Sequence, residues 1–324
     1  MTRYQHIIAA SLTACCILLP TAPAHSAGVG AGTLIQNSAS ATYTSGSGTT
    51  TIQSNTVTVT VDQLLDVAVA ELDSSPVAAS SNSAVLTYSI TNTGNGSDAF
   101  ILTADPNVSG NAFNAVVQSI VFDTNGDGKY DAGDQVIAQG AATPQIAANG
   151  SSKVFVIVSL PPGATDAQSS QVKLTATSII GSGSPGTVFA KKGVTGVDAI
   201  VGLSHGTQSA LDSVTASLAT VSLVKSAVIA DQFGSSNPLP GAVVTYTIVA
   251  HVSGSGTAGS VHVVDVIPTG TTYQAGTLAL NGTSLTDPAD SDPGTASSTG
   301  IDVALGNVAG GSSDKSISFK VKIN

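Results

Sequence analysis

Cysteine is confined to Cys15 and Cys16, and both fall in an N-terminal stretch with the marks of an export leader. Without that stretch the chain has no thiol, which excludes disulfide bracing, zinc–thiolate sites and thiol nucleophiles. An exported protein without disulfides must rely on its core, and domains of about 100 residues or more can do so. Tryptophan is absent and aromatics make up 4% of the residues, which leaves few platforms for stacking sugar rings. Charged residues are only 9%, and Arg3 is the sole arginine. The formal charge of −10 includes the +1 of Arg3, so the chain without its leader carries −11. Phosphate contacts come from lysine and arginine, so such a chain is a poor partner for nucleic acid.

The leader is read from three successive features. Arg3 supplies positive charge, and an apolar run follows through Ile7-Ile8-Ala9-Ala10 and Cys15-Cys16-Ile17-Leu18-Leu19. Pro20 ends it before the small-residue stretch Ala22-Pro23-Ala24-His25-Ser26-Ala27. This order is that of a signal peptide over residues 1–26, with cleavage near 24–27. Leu12-Thr13-Ala14-Cys15 also resembles a lipobox, the alternative in which Cys15 would carry a lipid. No later run approaches the roughly 20 apolar residues of a spanning helix, so the expectation is a secreted, extracellular or cell-surface protein without a transmembrane segment.

What is abundant is alternation. Thr56-Val57-Thr58-Val59-Thr60-Val61, Leu86-Thr87-Tyr88-Ser89-Ile90 within Val85–Ile90, Val172-Lys173-Leu174-Thr175-Ala176-Thr177 and Ile317-Ser318-Phe319-Lys320-Val321-Lys322-Ile323 change character at every residue. A period of two is the mark of a half-buried strand. Turn clusters such as Asn92-Thr93-Gly94-Asn95-Gly96 and Pro161-Pro162-Gly163 separate such runs, the pattern of a sandwich or barrel. Short helices are expected only near Ala112–Gln118 and Thr207–Ala216.

One strand occurs twice. Ala84-Val85-Leu86-Thr87-Tyr88-Ser89-Ile90 matches Ala242-Val243-Val244-Thr245-Tyr246-Thr247-Ile248, and an alternating strand follows each copy. Two copies imply two related units. The expected organisation is a signal peptide (1–26), an N-terminal β arm (27–62) and a first sandwich (63–185). Uncertain strands and a linker (186–222) then precede a second sandwich (223–324). Leu223-Val224-Lys225, Pro240-Gly241-Ala242-Val243-Val244-Thr245-Tyr246-Thr247-Ile248 and Asp265-Val266-Ile267-Pro268-Thr269-Gly270-Thr271-Thr272-Tyr273 resemble the "conserved repeat" immunoglobulin-like domain of bacterial and archaeal surface proteins. The resemblance covers 223–324 and, more loosely, the first unit. It departs at Ala250-His251-Val252, where the family has an Asn-rich turn. It implies an all-β fold of two tandem immunoglobulin-like β-sandwiches and a surface address; it carries no catalytic residues.

The one sharp motif is Asp123-Thr124-Asn125-Gly126-Asp127-Gly128-Lys129-Tyr130-Asp131-Ala132-Gly133-Asp134. Counted from Asp123, oxygen-bearing side chains fall at positions 1, 3, 5, 9 and 12 and glycine at position 6. That is the spacing of a calcium loop, with hard oxygens on alternate residues and a glycine for the sharp turn. The expected ligands are Asp123, Asn125, Asp127, the Lys129 carbonyl, Asp131 and Asp134, and the expected cofactor is calcium. Aspartate at position 12 resembles dockerin loops, and the apolar flanks place the loop on a hairpin. An acidic hairpin turn without metal is the competing reading.

Enzyme signatures are missing. Gly181-Ser182-Gly183-Ser184-Pro185-Gly186 and Gly254-Ser255-Gly256-Thr257-Ala258-Gly259 both fit G-x-G-x-x-G, yet neither opens a helix. His205, His251 and His262 stand apart in sequence, although the last two could face each other across a hairpin. Asp287, Asp290 and Asp292 lie in a Pro/Ser/Gly-rich loop. The reading is a structural or adhesive surface protein and not an enzyme. Its expected partners are itself, through strand exchange in an extracellular polymer, or other surface proteins. A glycan-binding module is the alternative. Intact mass measurement of secreted protein is expected to show loss of about 24–27 residues; full-length chain in the cytosol would refute the leader.

Overall fold

A computed structural model describes residues 28–45, 48–80 and 83–324, so the leader expected over 1–26 lies outside the described residues. An arm comes first: β1 (Leu34–Asn37), β2 (Ser40–Ser45), β3 (Gly48–Gln53) and β4 (Val57–Thr60). β1 pairs antiparallel with β4, and β2 with β3. Hydrogen bonds between Ala39 and Ser54 join the two pairs into one long hairpin. Its base is held by Asn95, whose Nδ2 donates to the carbonyls of Val29 (3.1 Å) and Asp62 (2.9 Å).

The first sandwich follows. Its strands are β5 (Gln63–Leu65), β6 (Val67–Glu71), β7 (Val77–Ala79), β8 (Ala84–Asn92), β9 (Phe100–Asp105), β10 (Val116–Phe122) and β11 (Gln135–Ile137). They continue with β12 (Ser151–Ser159), β13 (Ser169–Ser178), β14 (Val188–Phe189), β15 (Ala199–Val201) and β16 (Thr207–Ala216). One sheet runs β11-β10-β12-β8-β6 and the facing sheet β7-β16-β13-β9, while β14-β15-β5 forms a small sheet of its own. Alternation decides the faces. Ala84, Leu86, Tyr88 and Ile90 of β8 are buried, and Val172, Leu174 and Ala176 of β13 meet them from the other sheet. Tyr88 is fully buried, and its hydroxyl donates to the Val172 carbonyl across the core at 2.8 Å. Strand β12 is buried on both faces. Val154, Val156 and Val158 enter the main core, while Phe155 and Ile157 join Val121 in a second apolar layer.

The second sandwich contains β17 (Ala219–Ala230), β18 (Val243–Gly254), β19 (Thr257–Val266), β20 (Thr271–Tyr273), β21 (Ala279–Leu280) and β22 (Thr283–Ser284). It ends with β23 (Gly294–Ala296), β24 (Gly300–Ala309) and β25 (Lys315–Ile323). One sheet runs β17-β18-β25-β21-β22, with β20 also on β25, and the other runs β19-β24-β23. Its core holds Ile248, Val263, Leu278, Ile301, Val303, Ile317, Phe319 and Val321. The fold is all-β, two successive sandwiches. The duplicated sequence forms β8 and β18, each with a strand on both sides in its own sheet.

Two expectations are corrected here. Thr207–Ala216 is a strand, not a helix, because pairing with β13 on one side and β7 on the other satisfies its backbone. Ala112–Gln118 is not helical either; its last residues open β10. The single helical turn among the described residues is the 3-10 turn Val194–Gly196. Residues 186–222 divide three ways, between the small sheet (β14, β15), the first sandwich (β16) and the second (start of β17).

Glycine at the junction is required by close approach. A Cβ on Gly254 or Gly256 would stand 2.2 and 2.4 Å from the carbonyl oxygens of Leu218 and Ser217. Asp166, from the first sandwich, accepts there from the Leu218 N–H (2.7 Å), the Ser255 N–H (2.9 Å) and the Ser255 hydroxyl (2.7 Å). The two copies of the repeat differ at their tyrosine. Tyr246, the counterpart of Tyr88, is only half-buried. Removing the Tyr88 hydroxyl (Tyr88→Phe) is therefore expected to cost about 1 kcal/mol in urea unfolding of the first sandwich. Tyr246→Phe is expected to cost the second sandwich less.

Candidate functional site: an acidic hairpin loop

The loop 123–134 joins β10 to β11, which pair antiparallel from Phe122 and Gln135 outward. Its side chains turn inward one after another. Asp123 is buried, with 7% of its surface exposed, and accepts from the N–H groups of Gly126 (2.7 Å) and Gly128 (2.9 Å). Asn125 accepts from the Asp127 N–H at 2.8 Å, and Asp127 from the Lys129 N–H at 2.8 Å. Asp131 accepts from the Gly133 N–H at 2.7 Å and from the Asn125 amide at 3.2 Å. Asp134 closes the loop on the N–H groups of Thr124 (3.3 Å) and Asp131 (3.1 Å). Gly126 and Gly128 sit at φ of 74° and 76°, the left-handed region in which glycine costs little.

The loop is also pinned to the sheet beneath it. Lys153 of β12 donates to the Gly128 carbonyl at 3.0 Å, and a Cβ on Gly128 would come within 2.6 Å of that amine. Tyr130 lies over Phe155, ring centroids 6.1 Å apart. The structure thus brings Asp123, Asn125, Asp127, Asp131 and Asp134 into one network, with Lys129 contributing its backbone. Five hard oxygen-bearing side chains and a free carbonyl fit the chemistry of calcium. Their geometry is that of a loop closed on its own N–H groups: among the described residues no three Asp, Glu, His or Cys side chains converge closely enough to hold a metal ion.

The other sequence candidates are placed apart. His251 and His262 do not face each other, because β18 and β19 lie in opposite sheets. Each pairs with its own aspartate: His251 Nδ1 with Asp314 at 2.7 Å, and His262 Nδ1 with Asp302 at 3.0 Å. Asp287 accepts from the Tyr273 hydroxyl and the Gly276 N–H, while Asp290 and Asp292 accept from Thr286. His205 is exposed, its Nδ1 3.1 Å from the Gly183 carbonyl.

A group that the sequence reading missed lies in the first sandwich. Asp212 is 97% buried by surface, since only 3% is exposed, and its Oδ2 lacks a hydrogen-bond donor. Burial first, then a hydrogen bond with Asp73 and the nearby charge of Glu71, push its pKa up to about 7. Burial raises the neighbouring Tyr88 hydroxyl as well. The legible signal was register: Asp212 precedes Val214 and Ala216 at alternate, inward-facing positions of β16.

No protein-family model matches the chain, and no curated protein matches it. Among solved structures, one from Corynebacterium diphtheriae assigned to a membrane anchored protein aligns over 90% of this chain and 89% of its own. The two share 10% identity and a TM-score of 0.23, too low to carry an argument about fold or function.

An aspartic acid with a raised native pKa prefers to stay protonated in the fold. In the unfolded chain it ionises near pH 3.9. Between that value and about 7 the native state holds one more proton, so stability falls as pH rises through this window. The first sandwich is expected to melt higher at pH 5 than at pH 8, and Asp212→Asn to flatten that difference. Thermal melts of both proteins across the two pH values measure it.

Proposed function

We propose that the chain is an exported structural protein of the cell surface or extracellular space, whose first sandwich is stiffened by calcium in the loop 123–134. The observation that carries the proposal is the loop itself: side-chain oxygens at positions 1, 3, 5, 9 and 12, each accepting from an N–H of the same loop, with Gly128 in the left-handed region at position 6. A sandwich without thiols and with few charges suits an oxidising exterior where no disulfide braces it. The leader-like N-terminus supports the address, and among the described residues no helix is long and apolar enough to cross a membrane. The resemblance of 223–324 to the conserved repeat domains of surface proteins points the same way. Nothing in the acidic loop, the two histidine–aspartate pairs or the buried Asp212 places a nucleophile beside a base.

Calcium would act by charge. Asp123, Asp127, Asp131 and Asp134 repel one another within twelve residues, and only Lys129 and Lys153 offset them locally. A divalent cation bound to the inward oxygens relieves that repulsion and ties β10 to β11 at their open ends. Lys153, donating to Gly128, holds a competing positive charge at the same loop, which favours an affinity near that of extracellular modules, Kd about 10⁻⁴–10⁻³ M. At tenfold excess over Kd, binding to the folded state alone stabilises it by about 1.4 kcal/mol. Differential scanning fluorimetry in EGTA, magnesium and calcium tests this. The melting temperature is expected to rise with calcium, less with magnesium, and not at all in Asp127→Ala. Identical wild-type melts in all three buffers would make the loop an ordinary acidic turn.

A further inference from the structure

Edge strands decide how a β-sandwich meets its neighbours, because each leaves a row of backbone groups unpaired. In the first sandwich the edges are short: β11 and β7 have 3 residues each, β6 has 5 and β9 has 6. Strand β16 packs across β6 and seals that side. The second sandwich is different. Its edges β17 and β19 run for 12 and 10 residues, and each has a partner on one side alone.

Strand β17 is exposed on both faces from Thr220 to Val228. Pairing places Val221, Leu223 and Lys225 opposite Val252, Ala250 and Ile248, so these residues share the core-facing side of the sheet. Val252, Ala250 and Ile248 are buried, yet Val221 is 40% and Leu223 54% exposed. On the core-facing side of β17, Ile229 packs against the second core, while Lys225 Nζ pairs with Asp265 Oδ2 of β19 at 2.5 Å and Val221 and Leu223 stay exposed. The same ammonium lies 4.5 Å from the centre of the Tyr246 ring. Between β17 and β19 lies a groove crossed by that ion pair, with the exposed Val221 and Leu223 on its β17 side and a free backbone edge on its β19 side.

The chain also carries a matching piece. The arm 34–60 is a hairpin whose strands contact each other and neither sandwich over most of their length. Its apolar side chains face outward: Leu34, Ile35, Tyr43, Ile52, Val57 and Val59 are each at least half exposed. Residues 28–61 contain no charged side chain and no histidine. Natural edges are usually guarded by charge against such pairing, and this hairpin has no guard.

We propose that the arm of one copy inserts beside β19 of a second copy and covers Val221 and Leu223 of β17, joining chains head to tail. Three features of the molecule select this occupant. The first is charge: chains that carry a net −11 without the leader repel, whereas the arm is uncharged and the groove holds a neutralised Lys225–Asp265 pair. The second is length: Leu34–Ser45 spans 12 residues, about 40 Å at 3.3 Å per residue, enough to run along all 10 residues of β19. The third is size: the 27 residues of the arm match the roughly 20–30 per side of a stable interface. Added main-chain hydrogen bonds provide affinity, and alternate side chains such as Ile35 and Val59 fill the groove. Donor and acceptor are different surfaces, so the contact is heterologous and propagates into filaments unless its rotation closes a ring. The proposal extends the reading as a surface structural protein but does not depend on calcium.

Sedimentation velocity of the leader-free chain tests it, with Val59→Lys on the arm and Leu223→Lys in the groove. Wild type is expected to form concentration-dependent oligomers, and each variant to sediment as monomer with an unchanged melting temperature. An equimolar mixture of the two is expected to give dimers of twice the monomer mass, since one supplies an intact groove and the other an intact arm. A chain lacking 34–60 replaces Val59→Lys if that variant melts differently. Monomeric wild type at every concentration, oligomers that survive both substitutions, or a mixture that stays monomeric would each overturn the proposal. If Val59→Lys alone abolishes assembly, the arm binds elsewhere and the groove assignment falls. A calcium response that persists in the monomeric variants separates failure here from failure of the loop assignment.

Discussion

Every strand must pair its backbone or leave it to water, and that requirement shapes this protein more than any side-chain contact. Sheets satisfy it in their interiors and postpone it at their edges. The first sandwich ends in short edges, and β16 packs against one of them, β6. The second ends in β17 and β19, long and uncovered. The arm is nearly all edge: two narrow pairs with no sheet around them. Charge guards these edges thinly: the arm has none, and β17 and β19 share the Lys225–Asp265 pair.

Burial of polar groups sets the second constraint. Tyr88 enters the core of the first sandwich because its hydroxyl finds the Val172 carbonyl, and its ring fills the space between the sheets. Beside it Asp212 sits at an inward position and finds Asp73 as its partner. Two carboxyl groups in contact cannot both ionise cheaply, so one keeps its proton to higher pH. In the second sandwich Tyr246 is half-buried beside Phe319, and Lys225 lies over its ring. The same short sequence therefore buries its tyrosine fully in one copy and only half in the other, while Val244 and Ile248 stay in the second core.

The acidic loop is local by comparison. Its shape follows from Asx-type turns between residues two or three apart, each an aspartate or asparagine oxygen on a nearby N–H. The sheet contributes only a platform, through Lys153 and the Tyr130–Phe155 contact. For that reason spacing alone singled out these side chains, and the fold added their environment.

Alternation of side chains at a period of two determined the strands, because burying one face of a pleat leaves little choice of residue. The repeat at Ala84–Ile90 and Ala242–Ile248 announced two units for the same reason. The pattern misread Thr207–Ala216 as a helix, since Thr-Gln-Ser-Ala-Leu-Asp-Ser-Val lacks alternation over its first half, and pairing on both sides overrode the local signal. Nothing local could say that β18 and β19 part to opposite sheets, which separates His251 from His262. Nor could it say that Asp212 meets Asp73 or that Leu223 stays uncovered. Those outcomes depend on which strands become neighbours across a core, a property of long-range packing that no window of sequence contains.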